Sequence, residues 1–69
     1  MASMLEYIKI ILHKVSFDRK LFEKELGKAL RMLMPNEVKR LRAYCYERFG
    51  AVHAAVLDKY FKNNRPSLG

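Results

Sequence analysis

The chain has 69 residues, a formal net charge of +7 and a hydrophobic share of 51%, which confines it to one small basic domain with a single core and a few kcal/mol of margin. Cys45 is the only cysteine, which excludes an internal disulfide, and the two histidines stand at no finger-like spacing from it or from each other. Packing or a partner chain must therefore hold the fold, and some apolar surface is expected to remain outside, either scattered or gathered into a self-association face.

Ser3-Met4-Leu5-Glu6 has the spacing of a capping box, in which the Ser hydroxyl and the Glu carboxylate each satisfy a free backbone N–H. A first helix is predicted from there to about Val15, with Met4, Leu5, Ile8, Ile11, Leu12 and Val15 on one side and Glu6, Lys9 and His13 opposite. Its longest aliphatic run, Ile10-Ile11-Leu12, falls far short of the roughly 20 residues of a membrane span. The N-terminus lacks the pattern of a secretory signal, and an unpaired cysteine suits a reducing compartment, so the cytoplasm is the expected location.

Asp18 is the predicted N-cap of the second helix, with Phe17 and Phe22 placed to form a hydrophobic staple across it. That helix runs from about Arg19 to Leu33, with Phe22, Leu26, Ala29, Leu30 and Leu33 inward. Gly27 falls on its outer side, a costly position that signals a close approach by another group. Pro35 suits the first turn of a third helix and breaks any continuous one, so the chain is expected to fold back there. Val38, Leu41, Cys45 and Phe49 form the matching inward row.

Beyond Phe49 two readings stay open. Gly50 has the look of a left-handed helix cap, yet the apolar row continues in phase through Val52, Val56 and Tyr60. Either way 51–61 is predicted helical, and 63–69, which includes Pro66 and Gly69, reads as a disordered C-terminal tail. The expected fold is all-α: a small three-helix bundle, or four helices if Gly50 breaks the last, around an antiparallel hairpin turning at Pro35, with 1–62 as one domain.

Two partner classes follow. Leu21 and Met32 lie off the inward row of the second helix, and Leu57 and Phe61 off that of the last segment, which nominates these four for contact with a protein partner or a second copy. The charge excess belongs mainly to 19–48, with nine basic against four acidic residues. Lys20, Lys24, Lys28 and Arg31 fall within about 80° on the outside of the second helix, and Lys39, Arg40 and Arg42 follow on the third. These seven form the alternative, a nucleic-acid-binding surface with Tyr44 and Tyr46 nearby; a helix-turn-helix fits the same residues no better than a plain hairpin.

Catalysis has little support. Cys45 belongs to the inward row, and His53 would stand about 12 Å away even on an unbroken helix, too far for a nucleophile and its base. The expected function is a small non-catalytic cytosolic binding or adaptor module that self-associates and engages a protein partner, with no cofactor and no small-molecule substrate.

Overall fold

The computed structural model describes residues 3–62; the predicted tail lies outside the described residues. The fold is all-α. Among the described residues four helices follow in order, α1 Met4–Lys14, α2 Arg19–Met32, α3 Pro35–Phe49 and α4 Ala54–Leu57, and the last continues into a π-helical segment, Asp58–Lys62.

Local chemistry explains where the helices start. The Ser3 hydroxyl accepts from the Glu6 N–H at 3.1 Å, but the Glu6 carboxylate turns to Lys9 at 3.4 Å, so only half of the expected capping box forms. Asp18 caps α2 as predicted, its Oδ1 accepting from the N–H groups of Lys20 and Leu21 at 2.9 and 3.1 Å. At α3 the Glu37 carboxylate accepts from the Met34 N–H at 3.0 Å, and Pro35 occupies the first helical position, where no N–H is needed.

The expected staple does not form. Phe22 is wholly buried whereas Phe17 is 81% exposed. The three residues between α1 and Asp18 are held by Ser16, whose hydroxyl donates to the His13 carbonyl at 2.8 Å, and by the Asp18 N–H donating to Val15. This tight turn sends the Phe17 ring away from the helix it precedes.

The chain does reverse before Pro35: the first turn of α2 meets the last turn of α3 through Phe22 and Phe49, edge to face at 5.1 Å. The closest backbone approaches, however, join α1 to α2, α1 to α3 and α3 to α4. The two long helices therefore face each other across the core, with α1 filling one side between them. The C-terminal segment fills the other, where Tyr60 lies against Gly27 of α2 and the Tyr46 hydroxyl of α3 donates to Asp58 at 2.6 Å. A Cβ on Gly27 would sit 3.3 Å from the Tyr60 ring, so the close approach signalled by that glycine comes from the chain itself.

The core takes Leu5, Ile8 and Leu12 from α1, Phe22, Leu26 and Ala29 from α2, Leu33 from the link, Leu41, Cys45 and Phe49 from α3, and Val56 and Leu57 from α4. Burial pushes the Cys45 thiol up to about 12, which leaves it protonated and unreactive at neutral pH.

The helix breaks at Gly50, but not by a left-handed cap: Gly50 has φ −59° and ψ −34°, ordinary right-handed values. Glycine is needed there because a Cβ would collide with the Tyr46 carbonyl. The turn that follows slips the apolar row by one position. Val52, expected inward, is 73% exposed, and His53 is buried in its place. Leu57, expected to point outward, is fully buried, because α4 tucks its 56 and 57 positions together beneath α3. Phe61 is half-covered, packing 6.1 Å from the Tyr46 ring. The wider π-helical turn lets neighbours such as Tyr60 and Phe61 both reach the core edge.

Candidate binding surfaces

With Leu57 inside and Phe61 half-covered, only Leu21 and Met32 of the four nominated contact residues stand on the surface. They do not stand alone. On α2, Leu21, Glu25, Lys28 and Met32 follow one another at helical spacing along the edge that faces α1. On α1 the facing edge is Met4, Tyr7 and Ile11, of which Tyr7 is 56% exposed and Met4 is also open to solvent. Between the two helices runs a groove of about 230 Å³, floored by Ile8, Leu12 and Ala29 and walled by Tyr7, Ile11 and Met32. Among the described residues its charged walls are Glu25 and Lys28, which pair at 3.5 Å. In a chain of net charge +7 this face is locally neutral.

The seven basic residues of the alternative reading divide between separate places. Lys20, Lys24 and Arg31 are exposed on α2 outside the α1/α2 groove, whereas Lys28, expected in the same ridge, belongs to the groove wall and pairs with Glu25. Lys39 and Arg42 line a groove of about 610 Å³ between α3 and the π-helical segment, with Leu30, Val38, Tyr60 and Phe61. Arg40 points from the far side of α3, since two residues along a helix turn the side chain by about 200°. Lys39 and Arg42 share one groove, Lys28 lines the α1/α2 groove, and Lys20, Lys24, Arg31 and Arg40 line neither, so neither groove gathers the set.

A third groove, of about 470 Å³, lies between α1 and α3 and is lined by Lys9, Lys14 and His13 from one helix and Tyr44 and Arg48 from the other. The Lys9 ammonium is 4.9 Å and the Arg48 guanidinium 5.6 Å from the centre of the Tyr44 ring, and the ring packs edge to face on Phe49 at 6.0 Å. Lys9, Lys14 and Arg48 escaped the sequence reading because the groove joins residues far apart in the chain. The available signal was Arg40, Tyr44 and Arg48, spaced four apart on one helix.

Two long-range polar contacts fasten the C-terminal segment behind these surfaces. His53, 5% exposed, stacks on Phe22 at 4.2 Å and places Nε2 2.7 Å from the Ser16 carbonyl, so Nε2 carries the proton and donates. Its Nδ1 is buried without a partner among the described residues, and the ring acts as a core residue with one tether to the α1–α2 turn. Lys59 donates to the Glu23 carboxylate at 2.6 Å, and Tyr60 donates to the same oxygen at 3.3 Å. The Lys59 contact holds the Glu23 carboxyl below its ordinary 4.5, and Glu23 in turn raises Lys59 above 10.5.

Because folding lowers the Glu23 pKa, this contact stabilises the fold above pH 4.5 and the contribution is lost as pH falls below that value. For Lys59 the sign reverses: the contribution is present below pH 10.5 and lost above it. Urea unfolding of the wild type and Glu23→Gln should differ by a small, salt-sensitive amount at neutral pH, the pair being largely exposed. The two curves should converge in strong acid. A gap that survives there would show that the contact is not the source.

Among the described residues no cluster of His, Cys, Asp and Glu is arranged to hold a metal ion, and no helix is long and apolar enough to cross a membrane. Compared with protein-family models, curated proteins and solved structures, the chain matches none.

Proposed function

We propose that the protein is a small non-catalytic binding module that pairs with a second copy of itself through the α1/α2 face. The observation that carries this is the neutral groove walled by Tyr7, Ile11 and Met32, with Met32 55% exposed and Met4 and Leu21 extending the apolar strip at its ends. Two-fold pairing places the same patch on both sides, so each residue meets its counterpart's neighbour. Glu25 of one copy then meets Lys28 of the other, and the opposite charges at the rim complement themselves. The outer ridge of α2, with Lys20, Lys24 and Arg31 in no ion pair among the described residues, would instead repel its own image.

The non-catalytic part of the reading rests on the two side chains best suited to chemistry. Cys45 is sealed and protonated, and His53 is buried and tied to a backbone carbonyl. A deep core with an apolar strip beside it is a binding architecture.

Sedimentation equilibrium tests the pairing. The wild type should reach a dimer at tens of micromolar, and Met32→Glu should return it to monomer with its helical circular dichroism unchanged. A wild type that stays monomeric throughout that range overturns the proposal.

A further inference from the structure

The structure assigns a second, independent surface: we infer that the groove between α1 and α3 binds single-stranded nucleic acid at Tyr44 and Arg48, with Arg40 one turn beyond the lining in the same row of α3. Spacing of four residues sets these three on one side of α3, with an aromatic ring between two guanidinium groups. Lys9 and Lys14 face them from α1, and the exposed Ile10 gives the opposite wall an apolar patch. Glu6 also lines this groove, where it is paired with Lys9 at 3.4 Å. The lining thus carries an excess of positive charge around a tyrosine, the combination that single strands use: cations follow the phosphates while a base stacks on the ring.

The geometry suits a strand better than a duplex. From Arg40 to Arg48 the helix rises about 12 Å, a length matched by two or three nucleotides of an extended strand. The groove is framed by two helices, so Tyr44 and its cations sit in a recess that a flexible strand can enter. Tyr44 is held in place by its edge-to-face contact with Phe49, so its orientation is set before any ligand arrives. Lys9 and Arg48 rest against that ring at 4.9 and 5.6 Å. A base that displaces either cation frees it for the neighbouring phosphate, so the existing contacts are exchanged and not simply lost. This surface is separate from the α1/α2 face, and neither depends on the other.

The test is fluorescence anisotropy with labelled oligo(U) and oligo(dT) of about 12 nucleotides and the full chain. Binding should weaken as salt rises, and Arg48→Gln and Lys9→Gln should each reduce the log–log salt slope by about 0.7. Tyr44→Leu, which keeps an apolar side chain against Phe49, should weaken binding about tenfold and leave the slope unchanged. Lys24→Gln on the outer face of α2 should stay within about twofold of wild type. Should Tyr44→Leu fail to fold, the exposed double variant Arg40→Gln/Arg48→Gln decides the matter by the same slope. No binding of wild type at low salt overturns the proposal. So does an equal loss from Lys24→Gln, or equal competition by polyglutamate of matched charge, which would reduce the groove to an unspecific cationic surface. Met32→Glu should bind the oligonucleotides as wild type does, which keeps this result distinct from the outcome for self-association.

Discussion

Phe22→Ala should leave the chain largely unfolded at 25 °C. Phe22 is wholly buried in the first turn of α2, and its ring meets two others from much later in the chain: Phe49 edge-on at 5.1 Å and His53 stacked at 4.2 Å. Truncating a buried phenylalanine costs about 3–5 kcal/mol, and an aromatic pair adds about 0.5–1.5 kcal/mol beyond its buried area. A single core in a chain this short supplies a total margin of about 3–5 kcal/mol, so the loss is comparable to the whole. Phe22→Leu keeps most of the volume and should remain folded with a modestly lower urea midpoint. Far-ultraviolet circular dichroism through a urea titration checks both. A cooperative transition for Phe22→Ala within about 1 kcal/mol of wild type, well below the expected cavity cost, would mean that this ring junction does not hold the two ends of the fold together.

The residues at that junction show which parts of the fold were readable. Phe22, Leu26, Leu41, Cys45 and Phe49 stand at helical spacing and all prove buried, because within one regular helix the sequence spacing fixes the facing. Asp18 and Pro35 mark their helix starts by their own chemistry, a side-chain acceptor and a missing N–H. Helical spacing misplaces Met4, which opens the first turn of α1 and is 44% exposed, and above all the residues where the chain leaves regular geometry. Beyond the turn after Gly50 the apolar phase holds at Val56 but not at Val52, whose place His53 takes, and Leu57 moves inside as well. The π-helical stretch then departs from the spacing on which any helical wheel relies.

Surfaces were harder still. Met32 lies on the groove wall and Leu21 is exposed beyond it, as their position off the inward row implied, but Tyr7 and Ile11 belong to the groove only because α1 settles against that side of α2. The groove around Tyr44 likewise needs α1 and α3 to meet. The basic residues of α2 and α3 look like one group in the sequence, yet Lys28 lines the α1/α2 groove and Lys39 and Arg42 line a different one. A shared surface is a tertiary property, and only the spacing within each contributing helix is written locally.

Leu57→Glu and Met32→Glu make the same chemical change at two positions that the sequence treated alike, and the structure gives them opposite outcomes. Leu57 is fully enclosed, so a glutamate there loses the apolar burial and must either ionise without a partner or remain protonated inside the core. The expected cost is several kcal/mol, again comparable to the whole margin, and the variant should show no cooperative unfolding transition and little helical signal at neutral pH. Met32 is 55% exposed beside Lys28. A glutamate there keeps access to water and gains a cation one turn away on the same helix edge, so the fold should be retained within about 0.5 kcal/mol, the usual range for surface changes. Thermal melts of the two variants, run beside sedimentation, separate loss of fold from loss of pairing. A Leu57→Glu protein that melts cooperatively near wild type would place position 57 outside the core and overturn the path of the chain after Gly50, together with the seat of His53 against Phe22.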